Sequence, residues 1–316
     1  MAKRSKRNSA PKEGGSRRAE KLAQRQARLA ELPARRPFEG LAMECDLVAL
    51  REFVPSAVAA LPLASSVAEQ AAGRQVSLAT VLPGAVASLV RKVAAAGGSG
   101  EETEEAFVAL QLAVASDNPA RDLAAATQWV LDAAPGASLP RASASAETPP
   151  LKEIIDADRP LDITVHNDFN WWIPEGSEPA AEVAAAVKRA NEVIMPSARL
   201  GVEGMSAAWW VDAGEKAHLR WVRPEAEEAL MRALARLHAR GELTLGEGSR
   251  FAGSFRAHGV LVPVFDLDPE PHHEEWLAPT VTLQERLLDA LADETPLDSA
   301  ERRSRDGIIG RQVTLR

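Results

Sequence analysis

The positive charge of this chain is gathered at one end, and that end cannot form a core. Residues 1–36 hold 12 Lys and Arg against three acids (Glu13, Glu20 and Glu31), a net of +9. The rest of the chain holds 25 basic and 42 acidic residues, a net of −17, and the overall charge of −8 conceals the split. A segment so charged and so poor in apolar side chains cannot bury enough surface to offset the entropy of ordering it. A basic arm, largely disordered or helical, is therefore expected over residues 1–37. Disorder is expected through 1–15, where Pro11 and Gly14-Gly15 interrupt any helix. Ser16 then offers an N-cap for a helix over 17–32, which Pro33 stops. Lys21, Arg25 and Arg28 step by four and then three and share one face of that helix. Its other side (Ala19, Leu22, Gln26, Leu29) is too thin to hold it as a helix in isolation.

The folded body is expected from Phe38 onward. With 316 residues and 46% hydrophobic content, two domains, or one large one with tails, can be built. Apolar spacing predicts a helix over 42–53, a strand at 75–82, its hairpin partner or else a short helix at 86–93 with the strand preferred, a loop at 97–105, a strand at 107–114 and a helix over 119–133. A Ser-, Ala- and Pro-containing linker is read at 136–150. Beyond it a strand is predicted at 161–169, a helix over 179–193, and a hairpin of 205–211 with 217–222 around Asp212-Ala213-Gly214. Pro224 opens a helix over 224–240 that Gly241 ends. Strands at 242–245, 250–256 and 260–265 and a helix over 282–292 follow. The fold class is α+β: two mixed sheet-plus-helix halves, 38–135 and 151–296, with a loosely packed tail at 297–316. Strand, strand, helix occurs at 75–133 and again at 205–240, which suggests two related halves.

Several chemistries are excluded or disfavoured. Cys45 is the lone cysteine, so there is no internal disulfide and no cysteine-based zinc or iron–sulfur site, which fits a reducing cytoplasm. No signal-peptide pattern and no apolar run of membrane-spanning length is present, so membrane insertion is not expected. Gly97-Gly98-Ser99-Gly100 leads into Glu101-Glu102, which would repel phosphate. Gly246-Glu247-Gly248 completes no dinucleotide fingerprint. Neither a Gly-x-Ser-x-Gly elbow nor a His-Glu-x-x-His helix occurs. With no tyrosine, phenolic acid–base chemistry is absent. No cofactor is predicted.

Three groups of residues remain as candidates. Asp266, Asp268, His272 and His273, with Glu270, Glu274 and Glu275 among them, carry carboxylates and imidazoles that suit a divalent metal; the same run also reads as a solvated acidic loop stiffened by Pro269 and Pro271. His166 and Asp168 are two apart on an expected strand, hence on one face, where they form either a proton-transfer pair or a strand-end hydrogen bond. Trp171-Trp172 and Trp209-Trp210 are adjacent pairs. In a strand each pair would put one ring in the core and one outside it, at an interface or beneath a helix on the second face.

The segments Ala2-Lys3-Arg4, Pro11-Lys12-Glu13-Gly14, Ser16-Arg17-Arg18 and Arg36-Pro37-Phe38-Glu39-Gly40-Leu41 resemble an uncharacterised family of actinobacterial proteins, as does the run from Asp46 to Ala57. That resemblance implies no activity and transfers no catalytic residue. Some members carry a translocase-ATPase label, which would call for a P-loop and a cysteine-rich tail that this sequence lacks. The leading expectation is a non-enzymatic cytoplasmic binding protein. Its arm would contact RNA, on ribosomes among other places, through Arg17, Arg18, Lys21, Arg25 and Arg28. The alternatives are a metal-assisted hydrolase and a plain protein–protein adaptor.

Overall fold

Ala217, Leu219 and Trp221 alternate with His218 and Arg220, and this period of two gives one face to a helical layer and the other to the middle of the molecule. The computed structural model describes residues 35–314 apart from 72, 95–101, 115–116, 175, 202–203 and 206. The arm expected over 1–37, with its five candidate basic residues, lies outside them save for residues 35–37. The elements are α1 (Glu44–Glu52), β1 (Ala57–Ala60), α2 (Ser65–Gln70), β2 (Val76–Ala79), β3 (Ser88–Ala94), β4 (Glu102–Ala109), α3 (Pro119–Asp132), β5 (Ser138–Leu139), α4 (Leu151–Ile154) and β6 (Ile163–Val165). Then come α5 (Ala181–Glu192), β7 (Ser197–Arg199), β8 (Ala208–Asp212), β9 (Ala217–Trp221), α6 (Glu227–Ala239), β10 (Ser249–Ala257), β11 (Val260–Leu267), α7 (Leu277–Ala292), α8 (Ser299–Ile309) and β12 (Gln312–Thr314).

The fold is α+β with two six-stranded sheets, ordered β5-β3-β4-β2-β1-β6 and β12-β10-β11-β9-β8-β7. In each, the central four strands lie in the order first, second, fourth, third. The sheets differ at their middle: β2 and β4 are parallel, whereas β9 and β11 are antiparallel. The likeness of the halves is thus one of strand order, and it starts at β1, one strand earlier than the sequence suggests.

The two sheets share a core. Leu47, Val48, Ala49 and Leu50 of α1 are buried in one hydrophobic cluster with Val76, Leu78 and Val108 of the first sheet and Trp209, Val211, Val260 and Val262 of the second. Glu44 and Asp46 are buried with them, so this helix lies in the interior although four of its nine residues are charged. Polar contacts tie α1 to both sides. Gln111 Nε2 donates to the Leu50 and Val54 carbonyls, and Asp46 meets Arg199 at 2.9 Å. Glu52 accepts from His258 at 2.7 Å. The second sheet's other face, with Leu219, Trp221 and Phe265, packs under Leu230 and Leu234 of α6 and Leu283 and Leu287 of α7. Residues 136–150 supply β5 and bury Ala142.

Some expectations are corrected. β2 does not form a hairpin with β3; β3 pairs antiparallel with β4, which lies parallel to β2. The acidic stretch read as a loop enters β4 at Glu102, because cross-strand cations offset its charge: Lys92 meets Glu102 and Arg91 meets Glu105, each at 2.7 Å. Residues 242–245 form no strand. They lie between Gly241 and Gly246, both at positive φ, and the Leu245 amide donates to Ser249 Oγ rather than to a neighbouring strand. The tail is not loose: α8 opens on a capping box of Asp298 and Glu301 and buries Ile308, and β12 pairs with β10. β6 ends at Val165, short of the expected 169.

Candidate functional site

Because β6 stops at Val165, His166 and Asp168 are not strand neighbours on one face. Asp168 accepts from the Asn170 backbone amide at 2.9 Å and from its Nδ2 at 2.6 Å, the local turn bonding that Asp favours after a strand. The His166 ring stacks on Trp171, with centroids 5.7 Å apart. Trp171 and Trp172 lie in a short 3₁₀ turn over Asn170–Trp172, so strand alternation does not govern them. Trp171 Nε1 donates to Ser56 Oγ at 2.9 Å, and Trp172 Nε1 to the Val81 carbonyl at 3.1 Å. These contacts pin a turn on the first sheet. The second pair follows the strand rule: Trp209 faces the shared core and Trp210 the helical layer, and both are buried.

The acidic run separates by element. Asp266 ends a row across β10, β11 and β9, with Arg250 at 2.7 Å, Lys216 at 3.0 Å and His218 Nδ1 at 3.3 Å. Burial pushes the Asp266 carboxyl up, but the hydrogen bonds from Arg250 and Lys216 outweigh it and hold the group below its ordinary range. His218 is held down, first by burial and then by neighbouring Arg220, against the pull of Asp266. The cations that already occupy the Asp266 carboxylate would repel a metal ion there. Asp268 accepts from the Glu270 amide at 3.0 Å. The His272 amide donates to Glu275 at 2.8 Å, and the His272 and His273 rings lie 4.1 Å apart. Among the described residues, no three His, Cys, Asp or Glu side chains converge as metal ligands. Cys45 is buried, and burial with nearby Glu44 and Asp46 pushes its thiol up to about 12, so it is not poised as a nucleophile.

Sequence reasoning missed a cavity of about 390 Å³ lined by His218 and Arg220 of β9, Gly253 and Phe255 of β10, Phe53 beyond α1, and Arg311. Alternation along β9 shows that Arg220 points away from Leu219 and Trp221. It does not show that Phe53, 167 positions earlier, lies beneath it, with the guanidinium carbon 5.5 Å from the ring centroid.

A family model described as "Family of unknown function (DUF5926)" matches residues 37–316. The chain belongs to this family. The match begins one residue after Arg36, whose guanidinium is already part of the DUF5926 body: it grips Glu44 at 2.6 and 2.7 Å and the Pro224 carbonyl at 2.8 Å. No curated protein and no solved structure matches the chain. Among the described residues, no helix is long and apolar enough to cross a membrane.

Proposed function

We propose that this chain is a non-enzymatic, cytoplasmic binding protein that contacts RNA through its N-terminal arm while its body engages a second partner. Arg17, Arg18, Lys21, Arg25 and Arg28 make the phosphate contacts, and ribosomal RNA, the abundant polyanion of that compartment, is the first target to test. The observation that supports this is how the body uses its charge. In the acidic body, cations are widely committed to carboxylates: Arg74 to Glu104, Arg91 to Glu105, Arg199 to Asp46, Arg223 to Glu225 and Arg256 to Glu227. Arg36, the last basic residue counted with the arm, is committed in the same way. A body of net −17 repels a polyanion at a distance, so attraction falls to the residues before it, where lysine and arginine outnumber acids.

The test is retention on immobilised total RNA at low salt. The full chain is compared with a full-length variant in which Arg17, Arg18, Lys21, Arg25 and Arg28 are alanine. Retention should be lost in the variant while its thermal unfolding stays unchanged. Equal retention of the two would reject the reading. Pull-downs with and without nuclease separate RNA contact from a plain protein adaptor.

A further inference from the structure

Arg220 stands apart from the other arginines of the body. Among the described residues, every other arginine that is not exposed has a hydrogen bond or a carboxylate partner; Arg220 has neither. Burial alone shifts its pKa, and shifts it down, yet a guanidinium stays charged in proteins. Arg220 is half-buried, and a cation held part-way out of water is stabilised by a counter-charge. Its one described contact is the Phe53 ring below it, which leaves the edges of the planar group, where the donors lie, without protein partners. Phe53 is itself held in place by Phe255, edge-on at 6.4 Å.

The surroundings are built rather than accidental. β10 carries a bulge where its register against β11 shifts between Phe251 and Gly253, and bulges re-aim strands beside sites. Gly253 sits at φ +147, with the Arg311 carbonyl 3.0 Å from where a Cβ would be. The chain at Arg311 can therefore lie against β10 at the cavity wall. Arg311 itself has no carboxylate partner among the described residues. One carboxylate, that of Glu52, lines the cavity, and it is engaged: it accepts from His258 at 2.7 Å and lies 3.7 Å from Arg51; Asp266, farther along β11, is held by Arg250 and Lys216. Phe53, Phe255 and Val264 supply apolar wall. A cavity of about 390 Å³ is within the range of small-molecule sites.

We infer that this cavity binds a small organic oxyanion, a carboxylate or phosphomonoester with an apolar or aromatic body, through Arg220, with Arg311 at its wall. A guanidinium fork matches two oxygens of one anion, which a lysine would not. The site uses no residue of the arm, so it stands or falls separately from the RNA reading.

The test is calorimetric titration of the full chain with benzoate, phenyl phosphate and inorganic phosphate at millimolar concentrations. Benzoate against phenyl phosphate distinguishes the two headgroups, and phenyl phosphate against inorganic phosphate tests for the apolar wall. At least one of the two aromatic probes should bind saturably at one site. Arg220→Ala should weaken that binding by about tenfold or more, somewhat less than a fully buried charge pair loses with its partner. Arg311→Ala should weaken it by about threefold, and Arg141→Ala, an exposed arginine elsewhere, should leave it unchanged. Should Arg220→Ala fail to fold, Arg220→Lys decides, since it keeps the charge and loses the fork; unaltered affinity there would overturn the site. Absence of saturable binding by both aromatic probes to the folded chain, or equal binding by Arg220→Ala, would also overturn it.

Discussion

Asp46 is the clearest case of a residue held at a cost. It is buried in the first turns of α1 beside a single guanidinium, that of Arg199. Its carboxyl is pushed up to about 6 from an ordinary 3.8, chiefly by burial, with Arg199 pulling the other way. Since the folded value lies above the unfolded one, the unfolded chain gives up this proton first. The stability linked to protonated Asp46 is complete below about pH 4 and is lost as pH rises through about 6. Asp46→Asn removes that linkage and keeps a hydrogen-bond acceptor for Arg199. Relative to the parent, the variant should therefore gain about 1–3 kcal/mol between pH 4 and pH 7.5. Denaturant unfolding at both pH values measures it; parallel pH profiles for the two proteins would contradict it. The sequence displayed the Trp209-Trp210 alternation, because that depends only on neighbours in a strand. It did not display Arg199 against Asp46 or Arg220 over Phe53, because such pairs are set by how two sheets approach one helix.

Elements show the same division. The helices α3, α5 and α6 and the β8–β9 hairpin were legible from apolar spacing, Pro119, Gly214 and Gly241. The box formed by Asp298 and Glu301 was also written in the sequence, but the arginines that follow hid α8 among polar residues. What secures that helix is remote: Arg236 of α6, 1% exposed, reaches the Ala290 and Thr295 carbonyls and lies 3.2 Å from Asp293 and 3.9 Å from Glu301. Arg236→Met should lower stability by about 3 kcal/mol, since it leaves the two carbonyls without their donor and Asp293 without its near cation, while Glu301 keeps Arg240 at 3.9 Å. Asp298→Ala should cost less, since it removes one N-cap at an exposed helix start. Thermal denaturation of the two variants orders them, and an Asp298→Ala loss larger than that of Arg236→Met would contradict this account of α8. Residues 242–245 misled because Leu243 and Leu245 alternate with polar neighbours, as in a strand. Both leucines are buried in the second sheet's helical cluster, so the alternation reports burial without pairing.

At the scale of the molecule, α1 and the cluster around it make the two sheets interdependent. Their apolar residues are spread from Phe38 to Val262. The body should therefore unfold in one transition, with coincident circular dichroism and tryptophan fluorescence curves; two resolved transitions would show that the halves hold independently. The functional claim rests on the arm. The direct test is the salt dependence of affinity for single-stranded RNA, measured by fluorescence anisotropy on the full chain and on the variant with alanine at Arg17, Arg18, Lys21, Arg25 and Arg28. Each phosphate contact on a single strand steepens the log–log slope by about 0.7, so the full chain should exceed the variant by about 3.5 and bind more tightly at low salt. Equal slopes and equal affinities would contradict the claim.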